Sequence, residues 1–103
     1  MIEVNNILVL QEAAEDIIQG KQFYNRQQEG VGEYFRESLL ADIESLRLYA
    51  GVHELHNANY RMLSKRFPYA IYYQIKQHTV YVIAILPMRG NPEGLTEALE
   101  ERH

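Results

Sequence analysis

Apolar residues at Ile2, Val4, Ile7, Leu8, Val9 and Leu10 form a β-rich run short enough for one strand, which predicts a strand over residues 1–10. From Gln11 the spacing changes. Ala14, Ile17, Ile18 and Tyr24 fall on one side of a helix, and Glu12, Glu15 and Asp16 lie near its start, where carboxylates suit the helix dipole. Gly20 lies inside this helix at a cost of about 1 kcal/mol relative to alanine, so a bend is expected there. Gly30 and Gly32 interrupt the pattern. Val31, Tyr34, Phe35, Leu39, Ile43, Leu46 and Ala50 then recur at helical spacing until Gly51, a suitable C-terminal stop, and predict a second helix over 31–50. Two amphipathic helices joined by a short turn make a helical hairpin, and each apolar stripe needs a cover.

Residues 52–59 are polar, with two histidines and two asparagines, and read as a surface loop. Three β-rich runs follow, over 60–67, 69–76 and 79–86, bounded by Pro68, the Gln77-His78 pair and Pro87. Their close spacing predicts an antiparallel meander. The last run is almost wholly apolar from Val80 to Leu86, the pattern of a strand covered on both faces. Strand alternation puts Tyr69, Ile71, Tyr73 and Ile75 on one face, expected to pack on the helices, and leaves Ala70, Tyr72, Gln74 and Lys76 on a face open to a partner. Leu95, Ala98 and Leu99 predict a short helix over 93–102. The expected fold class is α+β: an N-terminal strand, a helical hairpin, a three-stranded antiparallel meander packed on the helices, and a short C-terminal helix. No linker-like stretch divides residues 1–103, so one domain is expected.

Composition narrows the class. Hydrophobic residues make up 47% and charged residues 23%, which suits a folded globular chain, and the absence of cysteine rules out a disulfide framework and thiolate metal ligands. The first ten residues lack the basic lead-in of a signal peptide and the length of a membrane span, so no membrane association is expected. Net charge is −4, but it is unevenly spread: residues 1–59 carry ten acids against four bases, whereas 60–92 carry Arg61, Lys65, Arg66, Lys76 and Arg89 and no acid. The part that reads as sheet is therefore the positive part.

The run Arg66-Phe67-Pro68-Tyr69-Ala70-Ile71-Tyr72-Tyr73, the apolar run Val80 to Leu86 and the closing Arg89-Gly90-Asn91-Pro92 resemble the C-terminal half of the RelE/ParE toxins of bacterial type II toxin/antitoxin pairs. The order of elements agrees with that resemblance. It implies a cytoplasmic toxin neutralised by a cognate antitoxin that wraps a groove beside the helices and sheet. It also implies one of two activities. RelE-type relatives cut messenger RNA on the ribosome, and ParE-type relatives poison DNA gyrase without a known bond-breaking step. A ribonuclease needs a base for the 2′-hydroxyl, cations for the phosphate and an acid for the leaving oxygen. Where many relatives carry a histidine in a His-x-x-Arg-x-x-Pro-like pattern, this chain has Pro87 with Met88 beside it, although Arg89 and Pro92 remain. The tail offers Glu93, Glu97, Glu100 and Glu101, which would repel phosphate. These departures favour a ParE-like binding toxin over an enzyme. Two alternatives stay open: a messenger-RNA endoribonuclease in which Arg61, Arg66 and Arg89 hold phosphate, and a non-toxic binding module built on the same scaffold.

Arg61, Lys65, Arg66, Tyr72 and Arg89 are the candidate residues for contact with antitoxin or target. Against this stands the plainer reading that strand cations keep a sheet from pairing with other chains and that tyrosines serve cross-strand packing. His53 and His56 form a His-x-x-His pair without a third ligand at a recognisable spacing, and read as loop residues. Ser38 and Ser64 have no evident His/Asp partners, and no glycine-rich phosphate loop is present, so no cofactor or metal is expected.

Overall fold

The computed structural model describes residues 2–88. Arg89 and the expected helix over 93–102 lie outside the described residues. The elements run β1 (Asn6–Val9), α1 (Gln11–Gln27), α2 (Val31–Glu44), α3 (Leu46–Tyr49), β2 (Glu54–His56), β3 (Asn59–Leu63), β4 (Tyr69–Lys76) and β5 (Thr79–Pro87). The strands form one sheet in the order β1-β5-β4-β3-β2. β1 pairs in parallel with β5, from Asn6 opposite Thr79 to Val9 opposite Val82. Every other pair is antiparallel.

The meander is one strand longer than expected. Residues 54–56, read as loop, form β2 and turn back into β3 through Asn57 (φ 51°) and Ala58 (φ 67°). Two successive positive φ values define a type I′ turn, whose usual signal is Asn-Gly. Ala58 hides that signal, and Glu-Leu-His lacks the β-branched residues that mark a strand. β3 ends at Leu63, four residues short of its expected end: the Ser64 N–H still bonds the Tyr69 carbonyl at 2.9 Å, and residues 65–68 form the turn into β4. The second helix is divided at Ser45, whose hydroxyl donates to the Asp42 carbonyl and competes with the helical ladder.

The helices cover one sheet face. Ala13 and Ile17 of α1, Phe35, Leu39 and Ile43 of α2 and Leu46 of α3 pack with Ile71, Tyr73, Val80, Val82 and Ile85. The buried stripes are rotated slightly from the expected ones, leaving Ile18 54% and Tyr34 49% exposed. Gly20 owes its place to the hairpin crossing: a Cβ there would lie 2.4 Å from Cε2 of Phe35. At Gly51 the backbone takes φ +92°, the left-handed turn that ends the helical segment.

A β-bulge explains the unbroken apolar run of β5. Tyr72 stands opposite Ala84 and Tyr73 opposite Val82, so Ile83 is the extra residue. Ile83 and Ala84 thus both join Ala70 and Tyr72 in a second buried cluster on the far face, and Ile85 returns to the helix side. Both faces therefore receive apolar residues from one strand.

Gly20→Ala should destabilise the chain by about 1–2 kcal/mol, because overpacking against Phe35 outweighs the gain in helix propensity. In urea titrations, Gly20→Ala combined with Phe35→Leu should lose less than the two single losses added together.

Candidate partner-binding surfaces

Beyond Val82, β5 outruns the short strand β1. The Leu10 N–H takes the Val82 carbonyl at 3.0 Å, and α1 begins at the next residue. From that helix Asp16, buried among Ala13, Ile17 and Gly20, accepts the Ile85 N–H at 2.9 Å. Asp16 is thus more than a carboxylate near a helix start: it takes a main-chain donor on the stretch of β5 that β1 does not reach. A groove of about 860 Å³ opens here, lined by Asp16, Gly20, Phe23, Arg26, Tyr69 and Leu86 among others. Phe23 lies 46% exposed on its rim. The sequence signal was an acid placed at helical spacing within a stripe of small and apolar residues.

The candidate residues fall into two places. Arg61 and Tyr72 are cross-strand partners on the sheet face away from the helices. Tyr72 is only 6% exposed and belongs to the far-face cluster, so its ring serves packing first. Arg61 is half-buried; its Nη2 lies 3.1 Å from the Met88 sulfur, a weak acceptor. Its Nε is buried with no hydrogen-bond partner among the described residues. A buried donor left unpaired costs roughly 1–3 kcal/mol. An incoming oxygen acceptor would relieve that cost.

Lys65 and Arg66 occupy the exposed turn between β3 and β4. The turn is held from three sides: Ser64 Oγ donates to Asp42 Oδ2 at 2.6 Å, the Pro68 carbonyl takes the Met88 N–H at 2.8 Å, and Phe67 plugs into an aromatic cluster. The Phe67 ring lies 4.8 Å from that of Tyr24 and 5.0 Å from that of Phe35, and Tyr69 lies 4.8 Å from Phe35. The Arg66 guanidinium stands 6.0 Å over the Tyr34 ring, on the helix side. Arg66 and Arg61 are therefore displayed from different parts of the molecule.

The histidines have local roles. Tyr73, fully buried, accepts the Gly51 N–H at 3.0 Å and meets His53 Nδ1 at 2.5 Å. Burial holds the His53 imidazole below its ordinary pKa of 6.5, which favours the neutral ring, whose Nδ1 can accept a hydrogen bond from the Tyr73 hydroxyl. Burial also pushes the Tyr73 phenol up, an effect opposed by the Gly51 N–H and reinforced by Tyr60. His56 Nε2 lies 3.6 Å from Glu54, and His78 Nδ1 bonds the Glu3 carbonyl at 2.9 Å. Among the described residues no three His, Asp or Glu side chains are grouped to hold a metal, and no helix is long and apolar enough to cross a membrane.

A helical hairpin laid on one face of a sheet whose first strand pairs in parallel with its last is a ParE/RelE-like fold. One solved chain that shares it is from a structure described as the chromosomal ParDE TA system from P. aeruginosa, with a TM-score of 0.72 and 11% identity over 80% of this chain and 94% of that one. No family model and no curated protein matches the sequence.

Because His53 binds protons less readily folded than unfolded, its contribution to stability is complete above pH 6.5 and is lost as pH falls from there toward its lowered folded value. His53→Gln should remove this part of the slope in denaturation measured between pH 5 and 7. Tyr73→Phe leaves the Gly51 N–H without its acceptor and should cost about 1–2 kcal/mol at neutral pH.

Proposed function

We propose that this chain is the toxin of a type II toxin–antitoxin pair, ParE-like in acting by binding its target, with DNA gyrase as that target, and held inactive in the cytoplasm by a cognate antitoxin. The likeness of fold to a ParDE-system chain over 80% of the length carries this reading. Two surfaces support it. The groove between α1 and the end of β5 has the apolar walls and polar lining that an amphipathic antitoxin segment would need. On the far face, the unpaired Nε of Arg61 favours a partner that brings a carboxylate.

Catalysis is less well supported. His53 and His78 are already engaged with Tyr73 and a main-chain carbonyl, which leaves neither poised as a base beside the cations. Lys65, Arg66, Tyr72 and Arg89 remain proposed contact residues in this reading, with Arg61 foremost.

Induction of the chain alone in bacteria should stop growth with loss of DNA supercoiling. Arrested translation with cut messenger RNA would replace the proposal by the ribonuclease reading, and unimpaired growth by that of a binding module. Arg61→Ala should weaken antitoxin binding about 10–100-fold in calorimetry, with the fold unchanged by circular dichroism.

A further inference from the structure

We propose that β2 is a self-association strand, pairing antiparallel with β2 of a second copy of this chain about a two-fold axis at Leu55. β2 ends one side of the sheet. The type I′ turn at Asn57 and Ala58 makes His56 and Asn59 the hydrogen-bonded pair that closes the hairpin. Antiparallel pairs alternate, so Leu55 and Tyr60 form a non-hydrogen-bonded pair, and the N–H and C=O of Leu55 point away from β3, out of the sheet.

Those outward groups are the donor and acceptor that a two-fold pairing requires. With the axis at Leu55, each copy's Leu55 exchanges both bonds with the other, and the residues on either side fall into register. Glu54 then faces His56 of the second copy, twice over, so a carboxylate meets an imidazole at each end and the three-residue strand is complementary to itself in its hydrogen bonding. Leu55 is 60% exposed and Val52, just before the strand, is 72% exposed, which adds apolar surface at the seam. Among the described residues no lysine or proline in β2 guards this edge, as they do where pairing is avoided. The opposite edge does not share these features: β1 is uncharged, and self-pairing about its centre would set Asn6 against Val9.

So short a seam buries well under 1,200 Å² without further contacts, which places it among weak, reversible interfaces. The inference is independent of toxin activity and can hold or fail whichever way the growth assay falls.

Sedimentation of the purified full chain from 10 μM to 1 mM tests it. A monomer–dimer equilibrium is expected, and Leu55→Lys, a change at an exposed position, should weaken it at least tenfold. Since the chain has no cysteine, Leu55→Cys supplies a second measurement. A hydrogen-bonded antiparallel pair brings Cα atoms to about 5.5 Å, within disulfide reach. Mild oxidation should therefore cross-link Leu55→Cys at least ten times faster than Leu8→Cys on the opposite edge. A chain that stays monomeric at 1 mM, a dimer indifferent to Leu55→Lys, or equal cross-linking rates would overturn the proposal.

Discussion

The ring of Phe35 occupies the space that Gly20 leaves by having no side chain, and most of the molecule is arranged around that contact. It lets α1 and α2 approach closely enough to form one slab. The same ring carries the aromatic cluster of Tyr24, Phe67 and Tyr69. Because Phe67 is anchored there, the turn between β3 and β4 cannot drift, and Arg66 is delivered over Tyr34. A surface cation is thus positioned by a packing event on the inside.

The end of β5 shows a second way in which the interior sets the surface. The bulge at Ile83 sends two consecutive residues to the far face and returns Ile85 to the core. Asp16 then takes the Ile85 N–H on the stretch that β1 does not reach. A carboxylate accepting a main-chain donor inside a part-apolar wall holds the helix to the strand while leaving the groove beside it open.

Much of this architecture was legible in the sequence. The helical spacing of Phe35, Leu39, Ile43 and Leu46, and the alternation of Tyr69, Ile71 and Tyr73, lead directly to the observed core. What escaped has physical reasons. β2 was read as loop because its turn uses Ala58 where glycine is the usual signal, and a left-handed alanine is held by tertiary context that no local pattern reveals. The burial of Asp16 depends on β1 stopping short of β5, a fact about strand lengths two elements apart. Of the candidate residues, alternation alone puts Tyr72 on the partner-facing side, whereas the place of Arg61 opposite it follows from the β3–β4 register, and the unpaired Nε of Arg61 is visible only once Met88 is in position beside it.

The parallel pairing of β1 with β5 joins the two ends of the described chain, Asn6 to Thr79. During synthesis β1 emerges well before its neighbour on the sheet, β5. The helical hairpin and the meander can form from local contacts, but Ile7 and Val9 must wait for residues 79–82 before their backbone is paired. Closure of the sheet therefore serves as a test of completeness: a chain truncated before β5 has no strand on which to dock β1 and no main-chain donor for Asp16.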